Sequence, residues 1–236
     1  MFLESDELAL NYSKYYHLLR YYKPDFQDSL IIGGAAYSFP KEYLRTYPGR
    51  KIDVVEIDPR MTQIARGYFR LQDNPNLNII HEDGRIFLNK NEKKYDVIFV
   101  DAFNSMYSIP FQLTTTEAVS RMNQSLKDDG VVLLNMVSAI EGKGAMFLQA
   151  EYKTFAANFP HVYVYRAEPE KALNVTQNLI LIAAKADKTA NETDEKIAVL
   201  LKNKYENPID SNLPVLTDDF APVEYYLSFA QQTVEK

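Results

Sequence analysis

Residues 29 to 58, SLIIGGAAYSFPKEYLRTYPGRKIDVVEID, constrain this chain more than any other stretch. An apolar run from Ser29 to Ile32 stops at Gly33-Gly34, a helical pattern follows from about Phe39, and a second apolar run from Ile52 ends in Glu56. Short apolar runs alternating with an amphipathic helix predict a strand, a glycine turn, a helix and a strand of an open α/β sheet. These parts suit a ligand that carries a nucleoside. Two glycines let the backbone come close, the helix start offers free N–H groups, and an acid about 20 residues on can accept hydrogen bonds from ribose hydroxyls. Ala35, Ala36, Tyr37 and Ser38 stand where a dinucleotide fingerprint would carry its remaining glycine, and no Lys-Ser/Thr pair follows to make a phosphate loop.

The strand-then-acid pattern recurs downstream. Asp58-Pro59 opens a helix with Met61, Ile64, Ala65 and Phe69 on one face, proline being favoured in a first turn. Asn78 to His81 reads as a third strand, followed by Glu82-Asp83-Gly84 and another helix. Tyr95 to Val100, YDVIFV, is almost wholly apolar, as a strand buried on both faces must be, and stops at Asp101. Three successive strands thus end in a carboxylate: Glu56, Asp83 and Asp101. Ligands of open α/β sheets bind beyond the carboxyl ends of the strands, so these acids and the glycine turn are expected to converge on one crevice.

The remaining segments continue the alternation. A helix over 114–126 is closed by Asp128-Asp129-Gly130, and strands follow at Val131–Met136, Val162–Tyr165 and Leu179–Ala184. Between them lies a helix with Leu148, Tyr152, Phe155 and Phe159 on one side; a tail helix runs through Ile197, Leu200, Leu201 and Tyr205. Ahead of the sheet, residues 5–22 place Leu8, Tyr12, Tyr15, Tyr16, Leu19 and Tyr22 at helical spacing, with Ser5 or Asp6 to cap the start. This stripe reads either as a core-facing surface or as the wall of a pocket. The segment 1–27 is therefore set apart as a tyrosine-rich helical region, and 28–236 as the nucleoside-binding domain.

Composition excludes several classes. A net charge of −6 and a pI near 5.2 argue against a general nucleic-acid binder and are compatible with a cationic substrate. The chain has no cysteine, hence no disulfide and no thiolate site, and His17, His81 and His161 are too scattered to suggest a metal. No stretch reaches 18 apolar residues and no basic-then-apolar leader opens the sequence, so the expectation is a cytoplasmic protein.

With IGGAAYSFP, the acids after three strands, VDAFNS and LTDDFAPVEYY in view, the chain resembles the spermidine synthase family of polyamine aminopropyltransferases, from Asp6 to about Leu227. It is most similar to a bacterial group often joined to a membrane transporter-like half. The resemblance implies a Rossmann-like class I methyltransferase fold, a mostly parallel seven-stranded sheet with helices on both faces, lacking most of the family's N-terminal β-hairpin domain. It also implies roles. Gly33 and Gly34 would cradle decarboxylated S-adenosylmethionine or methylthioadenosine, Glu56 would hold the ribose, Asp83 with Gly84 would reach the adenine, and Asp101 would stand beside the accepting amine. Tyr12, Asn104, Asp218 and Asp219 would close the amine pocket. No tightly bound cofactor and no metal are implied; a homodimer is, as is a cytoplasmic location or a soluble half of a membrane-anchored protein.

Two positions depart from the family pattern, Ala36 and Asn104, where aspartates usually face cationic amines. The first function considered is transfer of an aminopropyl group to an amine such as putrescine. A primary amine with a pKa near 10.4 costs roughly 4 to 5 kcal/mol to deprotonate at neutral pH, so a carboxylate able to take the proton is needed, and Asp101 is the candidate. The second is methyl transfer from intact S-adenosylmethionine, and the third a non-catalytic nucleoside-binding domain.

Overall fold

The computed structural model describes residues 7–102, 110–187, 194–209 and 212–231. Within them the strands β1 (Asp28–Ile32), β2 (Lys51–Val55), β3 (Leu77–Ile80), β4 (Tyr95–Val100), β5 (Leu126–Ser138), β6 (His161–Arg166) and β7 (Gln177–Ala184) form one sheet in the order β3-β2-β1-β4-β5-β7-β6. The pairings β1–β2, β1–β4, β2–β3 and β4–β5 are parallel, while β7 runs antiparallel to both β5 and β6. Strand order reverses between β1 and β4, and a crevice must open where the crossovers leave in opposite directions. Gly33 follows β1 and Asp101 follows β4, so the two turns meet at that point.

Helices cover both faces because each inner strand is apolar on both sides. Leu30 and Ile32 of β1, Ile98 and Val100 of β4, and Val132, Leu134 and Met136 of β5 face one layer. That layer is built from α5 (Gly84–Lys90), α6 (Thr116–Ser125), α7 (Met146–Ala156) and α9 (Val223–Gln231). Ile31, Val97, Phe99, Val131 and Leu133 face the other. It is built from α1 (Asn11–Lys14), a 3₁₀ turn at Tyr15–Leu18, α2 (Leu19–Tyr22), α3 (Ser38–Thr46), α4 (Pro59–Tyr68) and α8 (Glu195–Leu201).

Several expectations need correction. The N-terminal helix is three short pieces beginning at Asn11, with Leu10 at its start and no side-chain cap; Ser5 and Asp6 lie outside the described residues. On α4 the buried residues are Thr62 and Ala65, while Ile64 turns outward. The acids Asp128 and Asp129 do not stop α6. They belong to β5, whose register against β4 slips between Tyr95 and Val97, so that 127–130 bulges opposite Asp96. Lys127 reaches back to Asp96 at 2.8 Å and Asp28 at 3.2 Å, which holds the bulge. The helix α9, after Pro222, has no counterpart in the sequence reading, and α8 stops short of Tyr205.

Candidate active site

The site begins with the backbone of the β1 turn. Gly33 has φ of +100°, and a Cβ there would stand 2.3 Å from the carbonyl oxygen of Asp101, so no side chain fits. Gly33 N–H donates to the Val55 carbonyl at 2.8 Å and Asp101 N–H to the Ile32 carbonyl at 2.8 Å, extending the ladder one residue past each strand. The two strand ends are therefore clamped together at the crevice floor.

Glu56 closes the turn from the other side. Its Oε2 accepts the N–H groups of Gly34 and Ala35, each at 2.9 Å, and its Oε1 accepts that of Asp58 at 2.9 Å. The side chain is buried. A carboxylate that takes three backbone N–H groups fixes the turn and the following helix entry together, and about one acceptor site, on Oε1, stays open.

Asp83 caps α5, its Oδ1 accepting from Arg85 N at 2.8 Å and Ile86 N at 3.0 Å. Gly84 is needed for packing: a Cβ there would meet Ile32 Cγ2 at 2.5 Å. Both residues thus stand at the β3 exit beside β1, with Asp83 Oδ2 uncommitted among the described residues.

Asp101 has the most specialised surroundings. Asn135 Nδ2 donates to its Oδ1 at 3.0 Å, and the Tyr12 hydroxyl donates to its Oδ2 at 3.3 Å. The buried Tyr16 hydroxyl faces the same carboxylate without closing a hydrogen bond. Burial pushes the Asp101 carboxyl above the usual range, and the Asn135 amide, the nearby Tyr16 hydroxyl and the Tyr12 hydroxyl pull it partly back. Burial first, and then the Asp101 charge, raise the phenols of Tyr12 and Tyr16, which stay protonated.

Tyr12, Asp101 and the Gly33 turn border a cavity of about 240 Å³ that also has Leu10, Ala36 and Phe69 in its walls, whereas Glu56, Asp83 and Gly84 do not line it. Among the described residues lining it, Asp101 is the one acid. Tyr12 therefore walls the pocket as one reading of the tyrosine stripe held, while Tyr15, Tyr16 and Tyr22 lie in the core as the other held.

Asp218 does not join Asp101. Its carboxylate is held by Arg85 at 2.6 Å and by the Thr115 hydroxyl at 2.6 Å, and Asp219 is exposed. The reason is local: Thr115 caps α6, and the segment through Asp218 crosses that helix start, with Asp218 N–H donating to Glu117 at 3.0 Å. Asn104 lies outside the described residues. Two residues went unread, Asn135 and Asn178, the latter donating to Asn135 Oδ1 at 3.1 Å. The available signal was a polar residue inside the apolar run VVLLNMV.

The family model and the relatives in sequence agree. The model of the spermine/spermidine synthase domain matches residues 12–189. A probable polyamine aminopropyl transferase of Bifidobacterium longum is 30% identical over 218 residues, covering 83% of this chain and 48% of its own. A polyamine aminopropyltransferase of Vibrio vulnificus is 27% identical over 215 residues, covering 85% and 70% respectively. The chain thus spans about half the length of the first relative. In fold it is similar to a probable spermidine synthase of Corynebacterium glutamicum, with a TM-score of 0.69 at 19% identity over 98% of this chain and 81% of that one. Among the described residues no helix is long and apolar enough to cross a membrane.

Proposed function

The chain belongs to the spermine/spermidine synthase domain family, and on that premise we propose that it transfers an aminopropyl group from decarboxylated S-adenosylmethionine to an amine such as putrescine. The observation that carries this reading is the Asp101 carboxylate, desolvated yet hydrogen-bonded, at the mouth of the glycine turn. The nucleoside would lie along Gly33, Gly34 and Glu56, with Asp83 on the base side. In the reaction the amine nitrogen forms a bond to the aminopropyl carbon next to sulfur. The carbon–sulfur bond breaks, sulfur keeps the electron pair, and methylthioadenosine leaves.

Asp101 would take the proton that the amine must shed. An acid raised above its usual range by burial is a stronger base than a surface carboxylate, and a positioned base of this kind contributes roughly 10² to 10⁴ in rate. Alignment of the two reactants on one floor supplies much of the rest. We place the protein in the cytoplasmic compartment or facing it, with an amine as its small-molecule partner and a second copy of the chain as a further proposed one.

Ala36 favours a second reading. It lines the cavity with a methyl group, so the donor's amine finds no carboxylate there, and a methyl group from intact S-adenosylmethionine is the other candidate for transfer. Calorimetric titration with decarboxylated S-adenosylmethionine, the intact donor and methylthioadenosine separates the two, with Glu56→Ala as the control. Micromolar binding of the decarboxylated donor and methylthioadenosine, lost in Glu56→Ala, supports aminopropyl transfer; binding of the intact donor alone overturns it. Asp101→Asn tests for an enzyme of either kind: it should abolish transfer while leaving nucleoside affinity nearly unchanged, whereas a non-catalytic domain would not register the change.

A further inference from the structure

Asn135 and Asn178 lie on neighbouring antiparallel strands, one diagonal step apart, since Asn135 pairs with Ile180 and Asn178 with Val137. Their side chains form a directed chain, Asn178 Nδ2 to Asn135 Oδ1 at 3.1 Å and Asn135 Nδ2 to Asp101 Oδ1 at 3.0 Å. Asn178 is itself anchored at both ends of its peptide. Its N–H donates to Glu168 Oε2 at 2.8 Å, and its carbonyl accepts from Ala167 N–H at 3.0 Å.

A carboxamide has nearly the same shape either way round, so its partners decide which end faces where. An ionised carboxylate only accepts, so Asn135 must offer Asp101 its NH₂ group. That places the buried Asn135 carbonyl oxygen against Asn178, which must donate in turn.

We propose that Asn178 is a positioning residue: it holds the Asn135 amide with its NH₂ toward Asp101, which occupies Oδ1 and leaves Oδ2, beside Tyr12, as the oxygen that receives the substrate amine. The inference rests on the proposed function insofar as it names an amine. Its structural part concerns this chain alone. The groups facing Asp101 are Tyr12 and Tyr16 from the N-terminal segment, Asn135 from β5 and the Gly33 backbone from the β1 turn; no charged side chain among the described residues offsets the loss of a donor.

The test is a carbon-13 NMR titration of the Asp101 carboxyl in the whole chain, for wild type, Asn178→Leu, Asn178→Gln and Asn135→Leu. Circular dichroism first establishes that each variant is folded. Asn178→Leu removes the donor but keeps the bulk, so the Asn135 amide turns or wavers and the Asp101 pKa rises by about one unit. Asn178→Gln restores a donor and brings the titration back toward wild type, and Asn135→Leu gives a rise at least as large as Asn178→Leu. In transfer assays the acid limb of kcat/KM for the amine moves by the same amount, with the donor's KM unchanged. Folded Asn178→Leu protein whose Asp101 titrates as in wild type overturns the inference. A shifted titration in a chain that transfers nothing to any amine keeps the fixed amide and overturns the proposed function instead.

Discussion

The α-carbon of Gly33 lies against the carbonyl of Asp101, so close that a methyl group would fall 2.3 Å from that oxygen. The floor of the crevice is therefore made of backbone alone, and the two strand ends cannot be spread to admit a side chain without breaking the Asp101 N–H bond to Ile32.

Gly33→Ala should accordingly cost on the order of 3 kcal/mol and lose nucleoside binding, since strain at φ of +100° adds to the clash. Gly49→Ala is the control. Gly49 has φ of +83° with nothing among the described residues within 4 Å of the added methyl, so its cost is about 1 kcal/mol and binding is retained. Chemical denaturation of the two variants separates clash from strain.

Glu56→Gln places an NH₂ group where three backbone N–H groups now converge, so at least one is left without an acceptor. The expected loss is about 1 to 3 kcal/mol of stability and at least tenfold in affinity for methylthioadenosine. Thermal unfolding and calorimetry measure the two; a Gln variant that binds like wild type would remove Glu56 from the site.

Asp218→Asn should lower stability by about 1 kcal/mol by weakening the tie from Arg85 and Thr115, and leave the KM for the amine unchanged. Asp219→Asn should alter neither. A raised amine KM in the Asp218 variant would return that residue to the pocket.

Glu151 on α7 is fully buried, and neither carboxyl oxygen has a hydrogen-bond partner among the described residues. Burial raises its pKa well above the ordinary carboxylate value, so the folded chain keeps a proton that the unfolded chain releases. Folding then binds a proton, and stability is full below the unfolded pKa of about 4.3 and declines as pH climbs toward the folded value, by up to about 1.4 kcal/mol per pH unit. Glu151→Met should flatten this decline and raise the melting temperature at neutral pH. Unfolding curves of both proteins between pH 5 and pH 8 provide the comparison.

The legible part of the site was the part written in consecutive residues. Apolar runs ending in Glu56, Asp83 and Asp101 gave the strands and their exit turns, because in a parallel sheet buried on both faces each strand and its exit turn are local facts; of the three acids only Asp101 lines the cavity. Ala36 was legible as a gap in the pattern, and Tyr12 as one face of a spacing. Asn135 and Asn178 were not, since their link to Asp101 depends on the antiparallel register of β5 against β7, which no local pattern states. Asp218 misled for the same reason in reverse: an acid in a distinctive segment looked available, and only the fold shows it committed to Arg85. The bulge at 127–130 hid because its acids read as a helix stop, when their neighbour Lys127 was needed at Asp96.

The N-terminal segment that carries Tyr12 is tied down in part by late partners. The Tyr15 hydroxyl accepts from Asn203, 188 residues on; Tyr22 and Tyr165 share a bond across 143; Arg20 pairs with Asp194 across 174. On the ribosome these tyrosines emerge long before the residues that seat them, and contacts of such separation form late. The nascent chain can thus complete its glycine turn and Glu56 clamp while the hydroxyl beside Asp101 is still unplaced, so translation yields the β1 turn first and the finished wall around Asp101 last.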